Sequence, residues 1–192
     1  MPAVKLYEYL PSWPNDFAAI AGRLRERLGA LALRIDHIGS TSVPRLPAKN
    51  IIDIQVTVEA LEIELLRPPM VEAGFQHRSD VRLHDHRPAG TVGPDEEWRK
   101  LLFVASEGQR EAHVHVRAAG RANQRYALLF RDYLRADSAA AAAYGELKRR
   151  LSQLDIDRAS YTETKDPVCD LIIVATEAWA RETVWQPGAT DA

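Results

Sequence analysis

Asp53, His113 and His115 have chemistry out of keeping with the residues around them. Asp53 interrupts the run Ile51-Ile-Asp-Ile-Gln-Val-Thr-Val58. Strand alternation puts Ile51, Asp53, Gln55 and Thr57 on one face and only aliphatic residues on the other. An ionised carboxylate there needs a partner, a metal or an open cleft to offset its desolvation. An arginine or a backbone N–H would make its role structural, whereas a metal would make it chemical. In Glu111–Arg117, His113, His115 and Arg117 share a side opposite Val114 and Val116. Two imidazoles so placed reach one ion or one substrate oxygen. With His84 and His86, a second His-X-His pair, the donor set suits Zn²⁺ or another transition ion better than Mg²⁺. Metal affinity should then fall as pH drops through the histidine range near 6.5.

A second feature is the hydroxyl-rich turn Gly39-Ser-Thr-Ser42, followed by a loop pinned by Pro44 and Pro47 and ending at Lys49. Glycine permits a tight turn, and N–H groups at such a cap suit a phosphate. A plain turn with no ligand is the alternative. Lys49 is either the countercharge of a phosphate or a solvated loop lysine. The resulting expectation is one shared pocket for Ser40, Ser42, Asp53, Gln55, His113 and His115. Asp53 and His115 are its catalytic candidates, and Asp53, His113 and His115 hold a single divalent transition ion. Gly39, Ser40, Thr41, Ser42, Lys49, Gln55 and Arg117 contact a phosphate-bearing ligand. Cys169, beside Val168, Ile172 and Ile173, reads as a buried structural thiol rather than a nucleophile.

The elements that must position these residues follow from periodicity. Phe17, Ile20, Ala21, Leu24 and Leu28 mark a helix over 14–29, and 33–38 and 51–58 read as strands. A helix over 60–67 should be broken by Pro68 and Pro69. Leu101–Ala105 reads as a buried strand and 111–117 as the histidine strand. One helix stripe follows at Tyr126, Leu129, Phe130, Tyr133 and Leu134. The next, at Tyr144, Leu147, Leu151 and Leu154, is capped by Asp137 or Ser138. Asp166-Pro167 has the form of an N-cap and first position opening a helix towards Trp185, with 186–192 a loose tail. The segment 76–99 has little periodicity. It suits a short edge strand at 81–84 and a flap over a cleft.

The chain resembles the GrpB-like family in Gly39-Ser-Thr-Ser-Val-Pro44, Leu46-Pro-Ala-Lys49 and the Ile52-Asp53 strand. The resemblance continues in Ala112-His-Val-His-Val116, Phe130-Arg-Asp-Tyr-Leu134, Tyr144-Gly-Glu-Leu-Lys148 and Tyr161-Thr-Glu-Thr-Lys165. It implies an α+β, nucleotidyltransferase-like mixed sheet with flanking helices and a helical C-terminal third, as one domain over 1–192. It also implies a nucleotide or other phosphate-bearing small ligand. Active nucleotidyltransferases carry a second acid two residues after the first, where this chain has Gln55, and a third on a later strand, where it has histidines. Two bridged Mg²⁺ ions need more carboxylates than that, so nucleotidyltransferase-like activity is weakened. One family type is fused to dephospho-CoA kinase. The alternative is therefore a catalytically inactive folding or interaction module serving a partner enzyme of that kind.

Composition adds bounds. A chain of 192 residues suffices for one substantial core, and a formal net charge of −2 gives no global attraction to nucleic acid or anionic membrane. Cys169 is the only cysteine, so no internal disulfide forms. With no apolar signal core or long apolar run, the cytoplasm is the expected location.

Overall fold

The aliphatic alternation around Asp53 builds the centre of a five-stranded mixed sheet in the computed structural model, which describes residues 4–80 and 84–192. The strands are β1 (Arg34–Ile38), β2 (Ile52–Val58), β3 (Phe75–His77), β4 (Leu101–Ala105) and β5 (Ala112–Ala118), in the order β1-β2-β5-β4-β3. β2 runs antiparallel to β1 and parallel to β5, while β4 runs antiparallel to both β5 and β3. On one face Ile35, Ile54, Val56, Phe103, Val114 and Val116 pack under α1 (Trp13–Leu28) and α2 (Ile63–Glu72). Phe17, Ile20, Leu24, Leu66 and Met70 of these helices complete that core. The other face carries the polar residues of β2 and β5. It is covered by α3 (Ala122–Ala136), α4 (Ser138–Ser152) and α5 (Arg158–Glu182). The α+β class, the mixed sheet and the helical C-terminal third agree with the sequence reading.

Asp137 caps α4, its Oδ1 accepting from the N–H groups of Ala139 and Ala140 at 3.0 and 2.9 Å. Three boundaries differ from expectation. α2 runs through Pro68 and Pro69 to Glu72. Leu66 and Met70, one helical turn apart on either side of the prolines, are both buried and hold the segment on the core. α5 starts at Arg158, capped by Asp157, with Pro167 in its interior rather than at its first position. Buried Tyr161, Cys169 and Ile173 anchor it on both sides of that proline. In both helices side-chain burial overrides the local proline penalty of about 3 kcal/mol. Leu154 lies beyond the end of α4 and is exposed.

The tail 186–192 is not loose. β1 is one of the two edge strands, and groups on its open edge are taken up by the tail. The Ile35 N–H donates to Thr190 Oγ1 at 3.0 Å, the His37 N–H to Asp191 Oδ2 at 2.9 Å, and the Ala192 N–H to the Ile35 carbonyl at 3.1 Å. Arg131 adds an ion pair to Asp191 at 2.8 Å. The hydrophobic pattern carried no sign of this because the contacts are polar and about 155 residues apart. Of the expected edge strand at 81–84, residues 81–83 lie outside those described, and His84 makes an isolated antiparallel bridge to Arg99.

His37 faces the core, stacked on Phe17 with ring centroids 4.8 Å apart and Nε2 3.0 Å from Thr41 Oγ1. Burial, helped by the positive charge of Arg135, pulls its pKa down to about 4. The fold therefore penalises its protonated form. Its contribution is fully present above the unfolded value near 6.5 and is lost as pH falls from there to about 4. The stake is on the order of 3 kcal/mol. Chemical denaturation of wild type and His37→Phe at pH 7 and pH 4.5 checks this. The wild type should lose more stability on acidification than the variant, and equal losses would assign the acid sensitivity elsewhere.

Candidate functional site

The β2–β5 register places Asp53 beside His113 and Gln55 beside His115. Side chains two apart on a strand share a face, so one carboxylate and two imidazoles converge. Asp53 Oδ1 lies 3.6 Å from His113 Nδ1 and 3.5 Å from His115 Nε2. One donor atom from each residue falls within 4.8 Å of the others. The low-dielectric surroundings oppose ionisation of Asp53, yet the facing imidazoles outweigh them and hold its carboxyl well below the usual range. Burial and the neighbouring Lys100 lower His115 to about 4 against the pull of Asp53, so its imidazole is neutral at pH 7. Protons therefore compete for His115 well below the 6.5 expected from sequence.

Gly39 holds this group in place. Its φ of +67° lies in the left-handed region that favours glycine, and a Cβ built there would lie 2.6 Å from Asp53 Oδ2. The sequence suggested a tight turn, and the structure adds that the carboxylate packs on the glycine backbone. Residues Ser40–Ser42 form one 3₁₀ turn. Ser40 and Thr41 line a cavity of about 380 Å³, together with Gly39, Lys49, Asp53, His113, His115 and Arg117. Its far wall comes from α3, α4 and α5, through Tyr126, Phe130, Tyr144, Lys148, Tyr161 and Lys165.

Two expected members of the shared pocket are not in it. The Ser42 hydroxyl turns back to donate to the Gly39 carbonyl at 2.6 Å. Gln55 is fully buried, its Oε1 accepting from Arg117 at 2.6 Å and its Nε2 donating to the Gln124 carbonyl at 3.1 Å. Both ends of the amide are thus engaged. The second histidine pair also separates. His84 is exposed, while His86 reaches the cavity but places Nε2 2.7 Å from an Asp170 carboxylate oxygen. Cys169 is buried, as expected, though its Sγ faces the cavity wall near Tyr144 Oη at 3.6 Å. Arg125 pairs with Glu177 outside the cavity.

The residue that sequence reasoning missed is Asp85. It pairs with Arg117 at 2.7 Å and Lys100 at 2.5 Å, and accepts from Asn123 at 3.1 Å. Burial raises its pKa, but the two cations prevail and keep it ionised. Removing one partner of so buried a set costs about 3–5 kcal/mol. An exposed pair such as Arg78–Asp80 contributes only about 0–1 kcal/mol. The sole hint was a concentration of ionisable residues in 76–99, which has no periodicity to assign them a face.

A sequence profile described as GrpB protein matches residues 3–174. The chain belongs to the GrpB family. A GrpB protein of known crystal structure, from Enterococcus faecalis, is 31% identical and superposes with a TM-score of 0.73 over 91% of this chain and 99% of that one. A UPF0157 protein of Pseudomonas aeruginosa is 36% identical over 93% of this chain and 69% of its own length. A dephospho-CoA kinase of Mycolicibacterium paratuberculosis is 36% identical over 96% of this chain and 48% of its own length. The chain thus spans about half the length of the kinase relatives it matches. Among the described residues no helix is long and apolar enough to cross a membrane.

The GrpB turn yields a direct check. Gly39→Ala combines a strained φ with a clash against Asp53, at a cost of about 1–3 kcal/mol. Thermal unfolding should show a clear drop for Gly39→Ala and none for Gly188→Ala, where an added Cβ meets nothing within 4 Å. Equal midpoints would remove the packing role assigned to Gly39.

Proposed function

We propose that this cavity binds a phosphate-bearing small ligand, a nucleotide being the class in view, beside a single divalent transition ion held by Asp53, His113 and His115. The observation that carries the reading is the convergence of that carboxylate and two imidazoles on the floor of a cavity whose walls bring lysines and aromatic rings. Two imidazoles and one carboxylate suit Zn²⁺ or a related ion and leave coordination positions open to a ligand. They do not suit a pair of Mg²⁺ ions, because the position of the second acid is Gln55 and both ends of its amide are already bonded. When bound, a single ion of this kind supplies Lewis acidity towards a phosphoryl oxygen.

The chain's own residues prepare the site. Asp53 is ionised and His115 neutral at pH 7, the protonation states that metal ligation requires. Lys100 Nζ lies 3.4 Å from His115 Nδ1 and can only donate there, which directs the ring proton of the neutral imidazole to Nε2, facing Asp53. Ligation through Nε2 would move that proton to Nδ1 and turn Lys100 to Asp85 alone. Gly39, Ser40 and Thr41 form the rim beside Asp53, where a phosphate would rest. Arg117, committed to Gln55 and Asp85, positions the floor rather than meeting the ligand.

A second reading is a non-catalytic module that acts on a partner enzyme, and the engaged Gln55 favours it. The longer relatives named dephospho-CoA kinase supply a partner class for that reading. The two separate experimentally. Elemental analysis and Zn²⁺ titration at pH 7.5 should give one ion per wild-type chain, with at least a tenfold loss of affinity in Asp53→Asn and in His115→Ala. Unchanged metal content in both variants would take the ion out of the account and leave the module as the better reading.

A further inference from the structure

Two tyrosine–lysine pairs with the same spacing, Tyr144/Lys148 on α4 and Tyr161/Lys165 on α5, have no part in the metal triad. Residues four apart lie on one helix face, and these two faces meet across the cavity from Asp53. Lys148 is buried, its ammonium donating to the Pro47 carbonyl and lying 5.3 Å from the centroid of the Tyr144 ring. Lys165 Nζ approaches Cys169 Sγ at 3.5 Å. Among the described residues neither forms a salt bridge, so two cations rest against a carbonyl, a ring and a thiol. Lys49 Nζ lies 5.7 Å from the centroid of the Tyr161 ring. Tyr161 is only 2% exposed and lines the cavity, yet its hydroxyl has no hydrogen-bond partner among the described residues. A buried hydroxyl without a partner costs about 1–3 kcal/mol, and a ligand acceptor would remove that cost.

We propose that the helical wall is a second anion subsite, built by Lys148, Lys165 and the Tyr161 hydroxyl, and that the ligand therefore carries at least two phosphoryl groups. This rests on the reading of the cavity as a phosphate site and extends it. One phosphoryl group sits beside the Gly39–Thr41 rim and the triad. The other accepts from Tyr161 Oη and is neutralised by the lysines. Burial, with the charges of Lys165 and Lys49, pulls Lys148 down to about 7. A bound anion would restore the full charge of Lys148.

The test is calorimetry of the full chain with inorganic pyrophosphate and with orthophosphate, in metal-stripped protein at pH 7. Wild type should bind pyrophosphate more tightly than orthophosphate. Tyr161→Phe should weaken pyrophosphate binding about tenfold, the worth of one hydrogen bond to a charged acceptor. Its thermal midpoint should stay level or rise, because the unpaired hydroxyl is gone. Lys148→Met should weaken pyrophosphate binding at least tenfold. Wild-type pyrophosphate affinity in both variants overturns the subsite, as does equal wild-type affinity for the two anions. Either result leaves the phosphate-ligand reading intact. Wild-type protein that binds neither anion overturns the subsite and that reading together.

Discussion

The parallel pairing of β2 with β5 is the constraint from which the rest of the molecule follows. It sets Asp53 level with His113 and Gln55 level with His115 in the middle of the sheet. A slip of one residue would turn Asp53 into the aliphatic core and Ile54 into the cavity, and both moves are costly. The aliphatic partners Ile54–Val114 and Val56–Val116 hold the register from the opposite face. The core under α1 and α2 and the polar floor under α3–α5 are therefore two consequences of one alignment.

Charge is arranged in two tiers on that floor. The deeper tier, Arg117, Asp85, Lys100, Gln55 and Asn123, is internally bonded and fixes the ends of β4 and β5 against α3. The upper tier, Asp53 with two histidines, has only long contacts of 3.5 and 3.6 Å among its members and opens to the cavity. The ion pairs of the deeper tier are close and cross-bonded, whereas the long contacts of the upper tier leave room between its donors. That contrast separates Arg117, which sequence reading gave to the ligand, from Asp53.

Much of this was legible in the sequence where pattern and burial coincide. Alternation in 51–58 and 111–117 revealed the two central strands and the faces of Asp53 and the histidines. Alternation also gave Gln55 the correct face, but it is blind to the hydrogen bonds that occupy an amide. Arg117 and the Gln124 carbonyl, 62 and 69 residues away, withdraw that side chain from the cavity. Asp85 and the tail were illegible for the same reason, since their partners are polar, distant in sequence and without period. The proline rule failed in α2 and α5 because it weighs one local cost and omits the burial gained on both sides of the proline.

The central claim is that the sheet register gathers Asp53, His113 and His115 around one ion. Anomalous diffraction from crystals soaked with Zn²⁺ measures it most directly. The account predicts a single strong peak bonded to one atom of each of the three residues, about 2.0–2.2 Å from each. A protein with no peak there, or with zinc held instead by His86 and Asp170, would contradict it.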